Sequence, residues 1–172
     1  MEILTGYLLA DFLSGVAHWF EDVYLNPEDF EIKEGFIFEI AKDNKEHHTK
    51  PRKMISSPWY STISVTCAFT LPAAILCYLV FGFNWIWTTC LFLASWMNQI
   101  HKWQHMSIKE RPLLVSWLMV FGVFADSRHH AGHHVKPYTT HYCILSPYLN
   151  PILDATRFWR GIEFIIHLHL RK

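Results

Sequence analysis

Asn98-Gln99-Ile100-His101-Lys102-Trp103-Gln104-His105 opens a stretch that closes on His129-His130-Ala131-Gly132-His133-His134. Six histidines fall within these 34 residues, counted from His101 to His134. Residues three or four apart share a helix face. His101 and His105 therefore point one way, and Asn98, three residues before His101, joins that face. His130, His133 and His134 repeat the spacing on one helix end or tight turn. Neutral imidazole is the commonest side-chain metal ligand and suits iron, zinc, copper and nickel. One HxxxH alone is a weak signal. HxxxH followed by HHxxHH in a short hydrophobic chain predicts most of a polynuclear metal site carried on helices.

The rest of the composition says where such a site would sit. The 172 residues fit one domain, 1–172. They are 51% hydrophobic and only 17% charged, against roughly 25% charged in a soluble domain. That balance points to a bilayer. The formal net charge is zero, so nothing suggests a nucleic-acid partner. Cys67, Cys77, Cys90 and Cys143 show no CxxC spacing, and three of them lie in apolar runs. No disulfide framework and no cysteine-ligated zinc is expected from them.

Residues 1–20 read as an apolar helix. Glu2 follows Met1, and Asp11 and His18 interrupt the run, which argues against a signal peptide. Asp11, Gly15, His18 and Asp22 make a polar stripe on that helix. Ionisable groups in a membrane helix usually face the bundle interior or a site; the competing reading is a stripe at the membrane interface. Residues 21–58 are polar and read as a loop containing His47-His48. Residues 59–83 carry no charge over 25 positions, and about 20 apolar residues suffice to cross a bilayer. Pro72 should kink this span, and Gly82-Phe83-Asn84 turns it back into an uncharged run, 85–100, that leads directly into His101 and His105. The run 113–125 is only 13 residues long and suits a re-entrant or interfacial piece. Residues 149–170 read as one amphipathic interfacial helix with His167 and His169 on its surface.

The expected fold is therefore an all-α integral membrane protein with about three transmembrane helices plus interfacial helices. Lysine and arginine favour the cytoplasmic side. With three crossings, the basic segments 33–53, 102–111, 128–136 and 157–172 share one face. His18, His47, His48, His101, His105 and the 129–134 cluster then converge on that face, placing a histidine-rich dimetal site at the cytoplasmic surface. Eight or nine histidines exceed the four ligands of one zinc and suit two metals. A nitrogen-rich shell also differs from the Glu-x-x-His sites of ferritin-like bundles.

The pattern is that of the membrane desaturase and hydroxylase superfamily, in which histidine boxes hold two irons that activate O2. The motifs resemble one family within it, the plasmanylethanolamine desaturases (Kua/CarF). Ala10-Asp11-Phe12-Leu13-Ser14-Gly15-Val16-Ala17-His18-Trp19, with Asp22 four beyond the histidine, is similar to their first motif. Glu46-His47-His48 with Pro51 resembles the second, Asn98-Gln99-Ile100-His101-Lys102-Trp103-x-His105 the third, and His129-His130-x-x-His133-His134 with Pro137 the fourth. Tyr142-Cys143-Ile144 and Phe158-Trp159-Arg160 also fit. The likeness runs from about residue 10 to 160. There are departures: Tyr138 stands where members often have histidine, with His141 nearby; the 54–96 region is short; and an extra N-terminal helix common in the family is not seen.

The resemblance implies a lipid desaturase that uses O2 at two irons and takes electrons from cytochrome b5 or a similar carrier. It would convert the alkyl chain of a 1-O-alkyl glycerophospholipid into a vinyl ether, as in plasmalogen synthesis. It implies His18, His47, His48, His101, His105, His130, His133 and His134 as iron ligands, with His129 ranked lower. Asp11 and Asp22 would fix histidine tautomers, and Asn98 would hold a water at the metals; Asp22 and Asn98 are the catalytic candidates. Arg128, Lys136 and Tyr138 are candidates for the phosphate end of the lipid. Trp96, Trp103, Trp117 and Phe121 are candidates for lining an apolar slot, against ordinary helix packing. The expected location is the endoplasmic reticulum, or the inner membrane of a bacterium. The alternatives are a desaturase or hydroxylase of another acyl lipid such as phosphatidylglycerol, a membrane zinc hydrolase, and a histidine-rich metal carrier or haem scaffold. Haem needs only one or two axial histidines, which argues against the last.

Overall fold

The computed structural model describes residues 1–170, and no strand occurs among them. Arg171 and Lys172 of the basic C-terminal segment lie outside the described residues. The helices run α1 (Glu2–Tyr24), α2 (Phe36–Thr49), α3 (Trp59–Phe81), α4 (Trp85–Ser95), α5 (Met97–His105), α6 (Leu113–Val120), α7 (Ser127–Ala131), α8 (Leu149–Ala155) and α9 (Phe158–Leu170). Short 3-10 turns at Pro27–Asp29 and Pro51–Ser56 flank α2.

Two helices, α1 and α3, are long and apolar enough to cross a membrane, with mean hydropathies of 1.2 and 2.0. They relate to the rest of the protein differently. None of the apolar window of α3 is buried inside the protein, and Thr62 is its one buried residue. Its outward face, Leu71, Ile75, Leu76, Tyr78 and Leu79 among others, is the kind of surface a bilayer covers. Helix α1 instead turns a polar, small-residue face inward: Gly6, Ala10, Asp11, Ser14, Gly15, His18 and Trp19 are all buried. The stripe read from the sequence faces the interior, not an interface. Gly6 sets the approach of α1 to α4, because a Cβ there would lie 2.5 Å from the carbonyl oxygen of Ile86. Small residues permit such close backbone contact between apolar helices.

The turn after α3 follows its sequence. Gly82 takes a positive φ of 66°, which a side chain would resist. Asn84 then caps α4 by accepting from the Ile86 and Trp87 amides. The returning segment is not one helix, however. It breaks at Trp96 (φ −94°, ψ 0°), and α5 starts afresh at Met97. The Thr66 hydroxyl of α3 bonds the Ser95 carbonyl at this break, giving an acceptor that an apolar surrounding would otherwise strand a partner.

Two further expectations are corrected. His47 and His48 lie on the last turn of a helix, α2, and not in a loop. Gly35, at φ +98°, starts that helix, and its sparse buried face is Phe38, Ala41 and His47. The predicted helix over 149–170 is two helices, α8 and α9, parted at Arg157, which adopts φ +54°. The start of α9 is core as well: Trp159, 2% exposed, packs with Trp19, Tyr142 and Cys143. Helix α6 has eight residues, about 12 Å at 1.5 Å per residue, too short for a core of about 30 Å. Its outer face, Leu113, Leu114, Trp117 and Val120, is exposed.

Candidate metal centre

Five elements aim histidines at one place inside the helices. Helix α1 brings His18, α2 brings His47 and His48, α5 brings His101 and His105, and α7 with the turn after it brings His130, His133 and His134. They form two groups that can each hold a metal ion. The first is His47, His101, His105, His130 and His134; the second is His18, His47, His48 and His133. Within each group the ligand atoms lie within 4.8 Å of one another. His47 belongs to both. One ring nitrogen has one lone pair, so eight histidines divide naturally as four and four.

The first group cannot be explained by hydrogen bonding among its members. Nε2 of His101 is 2.8 Å from Nε2 of His130 and 3.1 Å from that of His105, and the latter two are 3.1 Å apart. An imidazole Nε2 is either a donor or an acceptor. Three such atoms in mutual contact always leave at least one like pair facing, and protonating more of them only multiplies donors. A cation at the centre, accepting all the lone pairs, removes the conflict. Nε2 of His134, 3.1 Å from Nε2 of His130, extends the same array. Nitrogens about 2.1 Å from one metal lie about 3.0 Å apart at right angles and about 3.4 Å apart at tetrahedral angles. The observed spacing fits the former.

In the second group the outer ring atoms show where the lone pairs point. Nδ1 of His18 donates to the Tyr142 carbonyl at 3.2 Å, Nδ1 of His47 to the Asn44 carbonyl at 2.8 Å, and Nδ1 of His133 to the Thr140 carbonyl at 2.9 Å. A carbonyl only accepts, so each Nε2 carries a lone pair, and all three Nε2 atoms are buried without a hydrogen-bond partner. His48 is turned the other way: its Nε2 bonds Asp22 Oδ1 at 2.8 Å, leaving Nδ1 as the buried, unpartnered atom. Asp22 Oδ1 also accepts from Asn44 at 2.8 Å. Its other oxygen, Oδ2, lies 3.2 Å from Nε2 of His133 without a hydrogen bond. These outer partners fix ring orientation and tautomer, as they do around bound metals generally.

Burial favours the neutral form of several of these rings. It is the main cause holding His47 and His130 well below the ordinary histidine range, with neighbouring histidines adding to it. It also brings His134 down to about 4. A neutral imidazole is the form that binds metal.

Other sequence candidates lie elsewhere. Asp11 touches no histidine: its Oδ1 accepts from the Leu145 and Ser146 amides at 2.9 and 3.0 Å. Asn98 lies on α5, half-buried, and its side chain makes no hydrogen bond to the histidines among the described residues; the neighbouring Gln99 is tied to Thr62 at 2.7 Å. His129 belongs to neither group and contacts Asn150 at 2.8 Å. Asn150 itself was not legible beforehand; it clamps Cys143 through both its amide and its carbonyl. His167 and His169 are exposed and bond their own helix. Trp96 and Trp103 stack against the core, whereas Trp117 and Phe121 stack on the exposed face. Tyr138 packs its ring 4.5 Å from that of His48, beside a cavity of ≈330 Å³ that Asp22 and Arg160 also line. Arg128 borders a different groove, and Lys136 lines neither.

Helices that present apolar surface outward and collect eight histidines inward define a membrane-compatible class of protein able to hold metal. The chain belongs to the lipid desaturase family, whose domain matches residues 7–171. A probable fatty acid desaturase of Acanthamoeba polyphaga mimivirus is 30% identical, covering 96% of this chain and 81% of that protein. The plasmanylethanolamine desaturase of Myxococcus xanthus is 32% identical over 95% of this chain, and plasmanylethanolamine desaturase 1 of Mus musculus 31% over 95%. The matches span 59% and 63% of those two proteins' own lengths. No solved structure matches the chain.

Proposed function

We propose that the chain is a single-domain di-iron desaturase that uses O2 to introduce a vinyl-ether double bond into a 1-O-alkyl glycerophospholipid. The observation carrying this is the two histidine sets, of five and of four, that share His47, in a family of lipid desaturases. Two irons held there would supply the oxidising power: O2, two electrons and two protons become two waters as two hydrogens leave adjacent carbons. The protein's own groups do the rest. Tyr142, Asn44 and Thr140 carbonyls and Asp22 hold the rings so that the lone pairs point inward. The surrounding helices bury His18, His47, His101, His130 and His133. Asp22 would act as the acceptor beside the centre, its Oδ1 taking hydrogen bonds from His48 Nε2 and Asn44 and so keeping Nδ1 of His48 turned inward. Asn98, three residues before His101 on α5, would hold a water at the centre. Electrons would come from a small carrier such as cytochrome b5.

The test is expression in cells that make alkyl ether lipids but lack their own desaturase. Acid-labile vinyl ethers should accumulate, and replacing His105 by alanine should abolish them. The viral relative's name favours a second reading, desaturation of an acyl chain; unchanged ether lipids with a new acyl double bond would establish it. Unchanged lipids of both kinds, with iron and a reductase present, would reject desaturation.

The same reading carries a topology: α1, α3 and the pair α4–α5 cross the membrane, α6 and α9 lie at the interface, and the histidines face the cytoplasm. Lys50→Cys and Lys136→Cys, in a background without the four native cysteines, should both react with an impermeant label from the cytoplasmic side. Labelling from the opposite side alone would refute it.

A further inference from the structure

A groove of ≈740 Å³ lies beside the first histidine group, with His105 in its wall. Met106, Met119 and Val120 make part of it apolar. Three arginines border it, and their charges are used unequally. Arg52 is paired with Glu110 at 2.7 Å. Arg111 is held only by neutral groups: its Nε bonds Ser116 Oγ at 3.2 Å, and its Nη1 bonds Ser127 Oγ at 3.2 Å and Met119 Sδ at 2.7 Å. Neither Arg111 nor Arg128 forms an ion pair with a carboxylate among the described residues. Arg111 is half-buried, and a guanidinium drawn out of water without an anion is unfavourable. The serines and the thioether orient the Arg111 guanidinium without neutralising it.

We propose that this groove is the lipid-substrate subsite, with the phosphodiester of a glycerophospholipid held by Arg111 and Arg128. Guanidinium groups bind phosphate oxygens in pairs of charge-assisted hydrogen bonds. The groove joins that positive mouth to an apolar wall. Val120 belongs both to this wall and to the exposed face of α6 with Leu113, Leu114 and Trp117. A free phosphate has no use for the apolar wall, and a bilayer lipid fits both parts. His105 lines the same groove as the arginines, so a lipid held there by its phosphate would lie beside the first histidine group. This inference rests on the desaturase reading and deepens it.

The experiment uses the full chain, iron-loaded, in mixed micelles. Equilibrium binding is measured for a 1-O-alkyl-2-acyl phosphoethanolamine lipid and for the same lipid lacking the phosphate headgroup. The wild type should prefer the phospholipid by about tenfold or more, the range expected of a charged hydrogen-bond pair. Arg111→Gln combined with Arg128→Gln should abolish that preference. Arg128→Gln alone, at an exposed position that threatens folding least, should weaken it, and Arg128→Lys should restore part. Iron content reports whether each variant is folded. Retention of the full preference in the folded Arg128→Gln and double variants overturns the proposal, as does equal competition by inorganic phosphate. If the preference is present and arginine-dependent but no lipid is ever desaturated, the desaturase reading fails and the subsite stands. If the wild type desaturates lipids and the variants keep the preference, the subsite alone fails.

Discussion

Replacing His47 by alanine is expected to lower metal content at both positions and to cut turnover by about two orders of magnitude or more. His47 is the one side chain common to the two histidine groups. Even loss of an outer partner of a ligand costs about 10–100-fold in affinity or activity, and this is a ligand candidate itself. The change also leaves a cavity beside Nε2 of His18 and Nε2 of His133, both buried and unpartnered. Metal analysis of the purified wild type should find two irons per chain, and of His47→Ala less than one. His129→Ala is the control, since His129 contacts Asn150 and belongs to neither group. Equal iron in His47→Ala and wild type would remove His47 from the centre. One equivalent of zinc and no iron in metal-controlled wild type would sink the di-iron reading altogether.

Asp11→Ala should be the most damaging change outside the histidines. Asp11 is fully buried, and its carboxylate accepts the Leu145 and Ser146 amides and the Ser146 hydroxyl. Alanine strands three donors, each costing about 1–3 kcal/mol when left unsatisfied, so a loss on the order of 3 kcal/mol or more is expected. The effect should reach the metal centre through the chain. The segment that Asp11 pins begins three residues after Tyr142, whose carbonyl orients His18. Ser14 reinforces it by accepting the Ile144 amide at 3.0 Å. A fall in the thermal midpoint with reduced iron content is the expected outcome. Asp11→Asn, which keeps one acceptor oxygen, should be milder. A midpoint unchanged in Asp11→Ala would show that the 142–146 segment is held by other contacts.

Of the eight histidines that meet, His101, His105, His130, His133 and His134 were legible from local spacing, whereas His18, His47 and His48 entered through the charge topology and the resemblance of the motifs. Spacings of three and four residues put side chains on one helix face whatever the helix later packs against. The same holds for α3, whose uncharged length is a property of one segment, and for the turn at Gly82 and Asn84, where conformational freedom and capping act within a few residues. What packing decided was everything that depends on two distant segments. His47 and His48 are neighbours in sequence with nothing to tell them apart, yet His47 faces both groups and His48 only the second. Asp11 and Asp22 both sit on the polar stripe of α1, and only contact shows that one holds backbone amides and the other holds His48. The carbonyls of Asn44, Thr140 and Tyr142 orient three rings, and a backbone acceptor carries no residue signature at all. The breaks at Trp96 and Arg157 are likewise tertiary: Thr66, 29 residues away, bonds the carbonyl freed at the first, and Trp159 is drawn into the core beyond the second. Side-chain type and spacing thus determined which atoms could serve as ligands, whereas the packing of helices from both ends of the chain decided which lone pairs face one another.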